Sequence, residues 1–314
     1  MPEKLFSFIL KTSLRQQIIV SVLSVAVFLL TLVPLELQRR IINNATTNQN
    51  VDLLIGLSLL YLVVVIMQGG LKYLMNMRRG RIAEATIRLL RHRVIAGTER
   101  EAAGDPSDEA ESEGTIVSVV SAEVEPLGGF VGESISGPVL QGGILISVLG
   151  YMVWVQPMLA LSAIGLIIPQ LLFVPPIQKI INGKVKERIE ILRDLGEAIV
   201  DRSGDDSAEE PNSPEEFTPQ IEEIYRLRIQ IFRWKFLMKF LVNLLAHLGT
   251  IGVISIGGWL VIQGETEIGT IVAFVSGLQR IGDPWRSMVS YFRQITDARI
   301  KYDLIRVIPE HTSS

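Results

Sequence analysis

The 314-residue sequence contains no cysteine and only three histidines, His92, His247 and His311. The absence of cysteine excludes disulfides, thiol chemistry and cysteine-based metal sites, and it leaves the redox compartment unspecified. The histidines lie far apart and none has the spacing of a metal-binding motif such as H-E-x-x-H. A phosphate-binding loop of the form G-x-x-x-x-G-K-[ST] is also absent. We therefore expect no catalytic, cofactor or metal site in this chain.

Apolar residues, by contrast, are abundant: they make up 48% of the chain, and the mean hydropathy is +0.36. They are bunched into runs, and a helix needs roughly 20 such residues to cross a bilayer. The net charge of −3 indicates no particular partner. We predict an all-α membrane protein with six transmembrane helices, at about 18–35, 53–71, 137–155, 158–177, 236–262 and 268–288.

Two long connectors of similar length, 72–136 and 178–235, separate these spans. Each reads as a helix, an acidic turn-rich reversal and a returning helix. The first begins with a basic segment, Lys72 to Arg100, which also carries apolar residues at helical spacing: Ile82, Ala85, Leu89 and Val94. A nucleic-acid surface is the alternative interpretation of this segment, but a helix leaving the membrane on its cytoplasmic side fits the positive-inside rule.

The distribution of Lys and Arg predicts the topology. Of 30 such residues, 28 lie in the lead 1–17, in 72–100, in 179–239 and in the tail from Arg280 onward, whereas the polar connector 36–52 holds only Arg39 and Arg40. Both termini and both long connectors are therefore predicted to be cytoplasmic. The tight turn 263–268 contains two glutamates and no Lys or Arg, so it is predicted to face outward. Small residues at 69–70, 128–129 and 132 predict close helix packing.

The last two predicted spans carry a recognisable pattern: Gly258, Gly264, Gly269, Thr270, Ala273, Phe274 and Pro284, followed by a long charged helix. This pattern resembles the transmembrane domain of exporter-type ABC transporters. The resemblance implies one six-helix domain over 1–308 with a short tail at 309–314, and no fused ATPase domain. It also implies a second six-helix domain, as a homodimer or heterodimer, and a nucleotide-binding ATPase subunit that holds ATP and magnesium. The expected location is the bacterial plasma (inner) membrane, in contact with the lipid bilayer and with no nucleic acid.

The resemblance further implies that the tips of the two cytoplasmic hairpins transmit motion from the ATPase. The residues at these tips are Ser107, Asp108, Glu109, Glu111, Asp205, Asp206, Glu209, Glu210 and Phe217. Both tips are more acidic and proline-rich than those of the family, and Phe217 is their only aromatic residue. A solvated loop without a partner is the alternative, and the sequence leaves both interpretations open.

Polar residues inside the predicted spans are candidates for a substrate cavity: Gln68, Gln141, Gln170, Asn243 and His247. Such residues face protein or water rather than lipid. Hydrogen bonding between helices is the alternative role. A single histidine such as His247 is more often a packing contact than a ligand or a proton relay.

The sequence therefore predicts the membrane-spanning subunit of an ABC-type transporter, which forms the substrate pathway in a dimer and depends on a partner for ATP hydrolysis. The alternative is a transport-deficient scaffold that acts as a regulatory, sensory or assembly protein. An intramembrane enzyme has little support, because no catalytic constellation of His, Asp, Glu and Ser lies within the spans.

Overall fold

A computed structural model of the chain describes residues 4–101, 123–203 and 217–307, and within these ranges all regular structure is helical. The elements in chain order are α1 (Leu5–Leu30), α2 (Leu32–Asn43), a π-helical turn (Asn44–Asn48), α3 (Val51–Glu101), α4 (Val124–Glu133), α5 (Ser136–Val155), α6 (Pro157–Ser203), α7 (Thr218–Ile262) and α8 (Ile268–Val307). The predicted all-α membrane class is confirmed.

Four helical segments of the described chain are long and apolar enough to cross a membrane: Leu5–Thr47, Val51–Ile95, Ser136–Val155 and Thr218–Ile262. They contain the predicted spans 18–35, 53–71, 137–155 and 236–262. The predicted spans 158–177 and 268–288 lie in α6 and α8, and that these two cross the membrane stays a prediction. The outer half of α3 leaves apolar side chains more than half exposed, among them Leu59, Val63 and Ile66, as expected for a surface that faces lipid.

The chain divides into two compact units. The first comprises 1–157 and 257–314, and the second comprises 158–256. The core of the first unit brings together fully buried side chains of α1, α3, α4 and α8, such as Ile9, Leu90, Val124 and Tyr302. In the second unit, α6 and α7 pack through Ile177, Ile181 and Ile231, with these side chains against them: Phe173, Val185, Trp234, Met238 and Leu241.

Helix α4 lies against α3 at two glycines, as the sequence predicted. A Cβ atom at Gly132 would lie 2.7 Å from the Arg79 carbonyl oxygen, and one at Gly128 would overlap the Ile87 side chain. The other predicted packing glycines were wrong: nothing lies within 4 Å of a Cβ atom built at Gly69, Gly70 or Gly129. The glycines at 69–70 therefore do not bring two helices together in the described structure.

The buried face of α3 contains two of the four apolar residues noted in the basic segment. Ile82 and Val94 are buried, whereas Ala85 and Leu89 are exposed. Ile87 and Leu90 complete the buried face, and Ile82, Leu90 and Val94 follow one another at the helical period.

Two breaks between helices have a clear local cause. Helix α1 ends at Leu30, where Pro34 has no N–H group to donate to the Leu30 carbonyl. Between α7 and α8, Gly264 has φ of +76°, a conformation that glycine adopts without strain. This turn is confirmed, as is the turn between α5 and α6 at Gln156. The predicted polar connector 36–52 is helical over its first half, because α2 continues to Asn43; that it joins two spans stays a prediction.

Three prolines of α6, Pro169, Pro175 and Pro176, lie inside the helix and do not end it. The sequence allowed either a kink or an end at these positions. Helix α6 instead continues over 47 residues.

Candidate functional site

A polar cluster joins three helices at the break between α1 and α2. Gln68 Nε2, on α3, donates to Thr31 Oγ1 at 2.8 Å. Arg280 Nη1, on α8, donates to the Thr31 carbonyl at 3.2 Å. The Thr31 hydroxyl in turn donates to the Val27 carbonyl at 2.9 Å. We call Thr31, Gln68 and Arg280 the central cluster.

The central cluster lies deep within the predicted membrane region. Helix α8 begins at Ile268, so Arg280 is about 18 Å along the helix from the outer turn, at 1.5 Å per residue. That is more than half of a hydrocarbon core of about 30 Å. The Arg280 side chain is half-buried. Among the described residues, no carboxylate lies within ion-pair distance of it.

A second pair of polar residues lies two helical turns further along the same two helices. Gln38 Nε2, on α2, donates to Tyr61 Oη, on α3, at 3.3 Å. Gln38 is seven residues from Thr31, and Tyr61 is seven residues from Gln68, so both pairs lie on the same faces of α2 and α3. The Gln38 Oε1 atom is buried, and the described structure offers it no hydrogen-bond partner. The two pairs form a polar seam between α2 and α3.

An ion-pair cluster lies at the outer end of α2. The Glu36 carboxylate accepts two hydrogen bonds from Arg39, both at 2.9 Å, and one from Arg40 at 2.7 Å. It also accepts a hydrogen bond of 2.9 Å from the Tyr151 hydroxyl on α5. We call these four residues the outer cluster. It fastens α2 to α5.

Asn43, at the end of α2, fastens the turn between α7 and α8. Its Oδ1 atom accepts a hydrogen bond of 2.7 Å from the Gly269 backbone N–H, and its Nδ2 donates to the Glu267 carboxylate. Gly269 is required here, because a Cβ atom would overlap both the Arg39 carbonyl and the Asn43 side chain. This close approach explains physically why position 269, one of the glycines of the pattern in the last two predicted spans, is a glycine.

Helix α8 also carries buried residues of that pattern. Thr270, Ala273 and Phe274 are at most 2% exposed. Gly269 and these three side chains therefore hold the first turns of α8 against its neighbours, whereas nothing lies within 4 Å of a Cβ atom built at Gly258 or Gly264.

At the opposite end of the first unit, polar side chains cap the break between α4 and α5. Gln17 Nε2 donates to the Val131 carbonyl at 2.7 Å, and Arg79 Nε donates to Ser136 Oγ at 2.9 Å. The Tyr291 hydroxyl, on α8, donates to the backbone carbonyl of Ser134, the residue that follows α4.

Two side chains of α8, Tyr291 and Lys301, contact α4 or the residues that flank it. Burial raises the pKa of the Tyr291 phenol, so the hydroxyl keeps its proton at neutral pH. Lys301 Nζ lies 3.1 Å from the Glu123 carboxylate at the start of α4. Helices α1, α3, α4 and α8 are thereby linked where the first long connector returns.

Of the four predicted cavity residues whose side chains are described, one lies in a polar cluster. Gln68 belongs to the central cluster, and Gln141 is half-buried on α5 of the first unit. Asn243 and His247 are exposed on α7 in the second unit. Gln170 lies on α6, and its side chain is outside the described part. The role of these five residues as a cavity stays a prediction.

The predicted hairpin tips fall largely outside the described residues: Ser107, Asp108, Glu109, Glu111, Asp205, Asp206, Glu209 and Glu210. Phe217 is described and precedes α7. Within the described ranges, no group of three or more His, Asp and Glu side chains is placed to hold a metal ion. The expectation of a chain without a metal or cofactor stays a prediction.

Sequence reasoning missed Arg280 and the outer cluster. It assigned Arg280 to the cytoplasmic tail, although the residue lies within the predicted span 268–288. It assigned Glu36, Arg39 and Arg40 to a connector, although carboxylate and guanidinium groups three and four residues apart are typical of a helix. Both signals were present in the sequence.

Comparison with known protein families identifies the family of this chain. The family model described as the ABC transporter transmembrane region matches residues 17–197, which is more than half of the 314 residues. A search of curated proteins finds no match to the chain. The matched region runs from α1 into α6 and includes Thr31, Gln68 and the outer cluster. The chain is therefore an integral membrane protein that belongs to the ABC transporter transmembrane region family.

Proposed function

We propose that this chain is the membrane-spanning subunit of an ABC-type exporter. It forms the substrate pathway in a dimer with a second six-helix domain, which is either a second copy or a homologous chain. A separate nucleotide-binding subunit binds ATP and magnesium and hydrolyses the ATP, so the chain itself is not an enzyme. The proposed location is the bacterial inner membrane with both termini in the cytoplasm.

The length of the helices is the observation that best supports this proposal. Helix α3 has 51 residues and is about 75 Å long at 1.5 Å per residue. A bilayer core takes up about 30 Å of that length. Some 45 Å of helix therefore extends beyond the membrane, which is a lever arm far longer than anchoring requires.

Rigid packing allows such a lever to carry motion. Helix α4 approaches α3 closely at Gly128 and Gly132, and the Lys301–Glu123 ion pair ties α4 to α8. A force applied to the first hairpin would move these helices as one body, because packed interfaces transmit strain rather than absorb it. The proposed consequence is a switch between inward and outward access to the pathway.

The experiment is purification of the full chain from its native membrane, followed by identification of the proteins that accompany it. We expect a nucleotide-binding ATPase subunit, and we expect ATP-dependent flux in vesicles that contain the complex. Replacement of the second tip carboxylates Asp205, Asp206, Glu209 and Glu210 by serine should reduce the amount of ATPase recovered. A matched control replaces four exposed carboxylates away from the tip by serine: Glu84, Glu125, Asp194 and Glu222.

Two outcomes would contradict the proposal. A chain that is purified without any nucleotide-binding protein would not be a transporter subunit driven by ATP. If it were purified instead with a different protein through its acidic tips, the regulatory or assembly scaffold would be the better assignment. Equal ATPase recovery with the tip variant and the control variant would exclude the tip as the docking surface.

A further inference from the structure

We propose that the central cluster binds the oxyanion of a transported solute, a carboxylate or a phosphate, with Arg280 as the cationic group. This inference rests on the proposed transport function and names the substrate class of the pathway. The site comprises the Arg280 guanidinium on α8, the Thr31 backbone at the break between α1 and α2, and Gln68 on α3.

The first argument is the incomplete neutralisation of Arg280. A guanidinium group has five N–H donors. The only hydrogen bond that Arg280 makes to a described residue is the one to the Thr31 carbonyl, at 3.2 Å. A charged side chain at membrane depth normally faces protein or a water-filled cavity and pairs with an opposite charge. Four donors and a full positive charge are thus left for a group that the described residues do not supply.

Two other arginines of the same unit are neutralised by carboxylates. Arg39 binds Glu36 through two hydrogen bonds of 2.9 Å. On α8 itself, Arg286 pairs with Asp283 one turn away. Both of these arginines lie closer to a predicted membrane surface, where water reduces the cost of a charge, and both have a carboxylate. Arg280 lies deeper, where a charge costs more, and has none among the described residues.

The second argument is orientation. Thr31 is fixed by its own hydrogen bond to Val27 and by Gln68, so its carbonyl holds one edge of the Arg280 guanidinium in place. A planar guanidinium with free N–H groups binds a carboxylate or phosphate through two parallel hydrogen bonds. An arginine held in advance by the protein loses less entropy when it binds.

The third argument concerns the source of the oxyanion. Arg280 lies about 18 Å along α8 from the outer turn, whereas lipid headgroups lie at the two surfaces of the bilayer. A solute in the pathway reaches this depth more readily than a headgroup does. The Gln38–Tyr61 pair extends the polar seam by two turns, and its buried Gln38 Oε1 atom still lacks a described partner. Polar groups therefore follow one line along α2 and α3 toward the outer surface.

The test measures binding of small probes to the full-length chain in lipid nanodiscs. The probes are octyl phosphate and octanoate, with octanol and octylammonium as the uncharged and cationic counterparts of equal chain length. Tryptophan fluorescence reports binding, after subtraction of the signal from empty nanodiscs. We expect at least one of the anions to bind about tenfold more tightly than octanol, which corresponds to one charge-assisted hydrogen bond. The two anionic probes distinguish a phosphate site from a carboxylate site.

Variants then locate the site. Arg280→Gln should lose the preference for the anion, and Arg280→Lys should keep part of it, because lysine keeps the charge but lacks the planar fork. The control is Arg286→Gln, six residues further along the same helix, which should bind as the unchanged chain does. If Arg280→Gln does not fold, the lysine variant and the probe series on the unchanged chain still decide the question.

The proposal is overturned if octanol binds as tightly as both anions, or if Arg280→Gln and Arg286→Gln reduce binding equally. Its failure is separable from failure of the transporter assignment, because the binding measurement needs no ATPase subunit. Loss of anion binding with an ATPase subunit still recovered removes only the substrate class. Anion binding without any ATPase subunit removes only the ATP-driven mechanism.

Discussion

The outer cluster offers a quantitative test of how the structure is held together. Glu36 accepts bonds from Arg39, Arg40 and Tyr151, and its side chain is 22% exposed, against 25% for Arg39. Glu36→Gln removes the charge and leaves one acceptor oxygen for three donor side chains. A charge-assisted hydrogen bond contributes about 1.5–3 kcal/mol when buried, and partial exposure lowers this contribution. We therefore expect a loss of about 2 kcal/mol in the free energy of unfolding.

The matched control is Arg40→Gln. The Arg40 side chain is 63% exposed and contacts the same carboxylate, so its loss should cost about 0.5 kcal/mol or less. The assay is reversible unfolding in mixed dodecyl maltoside and SDS micelles, followed by tryptophan fluorescence. A double-mutant cycle of Glu36→Gln with Arg39→Gln should give a coupling of about 1–2 kcal/mol. The reasoning is refuted if Glu36→Gln destabilises the chain no more than Arg40→Gln does.

Three further predictions use the same unfolding assay. Gly269→Ala should cost about 1–3 kcal/mol, because the new methyl group overlaps the Arg39 carbonyl; an unchanged stability would contradict the close approach. Tyr302→Ala should cost about 3–5 kcal/mol, because a fully buried ring is replaced by a cavity; a loss below about 1 kcal/mol would show that the ring is not part of the core. Lys301→Gln should cost about 1 kcal/mol, and should cost clearly less once Glu123→Gln has removed the nearer of its two carboxylate partners and left only the exposed Asp297, 3.7 Å away.

The turns between helices and one close helix contact could be predicted from local patterns in the sequence. The turn at Gly264 and the short connection at Gln156 were predicted because a polar interruption between two apolar runs forces the chain to reverse. Gly132 was predicted as a packing residue and confirmed, because a small residue on an otherwise bulky helix permits close approach. These features depend on neighbours in sequence, and the sequence therefore reveals them.

Features that depend on contacts between distant segments were harder to predict. Gly69 and Gly70 are the same residue type as Gly128 and Gly132, yet no atom of the described structure lies within 4 Å of a Cβ atom built at either of them. Composition alone does not tell which face of α3 meets α4. In the same way, Leu89 is exposed while Leu90 is buried. Residue type cannot distinguish these two leucines, because the position of the partner helix decides which of them is covered.

The candidate site shows the same limit. Gln68 was identified because a polar side chain in an apolar run is conspicuous. Thr31 was missed because threonine is common in helices and its significance here comes from the proline three residues later. Arg280 was missed because it was counted with the charged tail, although α8 places it beside Thr31. That proximity joins residues 249 positions apart in the chain.

The packing of the first turn of α1 has a mechanical consequence. The rings of Phe8 and Tyr302 lie 5.4 Å apart between centroids, and Leu5, Phe8 and Ile305 share the buried core. The first and last described helices are thus packed together at the N-terminal end of α1 and the C-terminal end of α8. A pull on the final turns of α8 would be shared by α1, so the proposed transport cycle would have a third mechanical input besides the two proposed cytoplasmic hairpins.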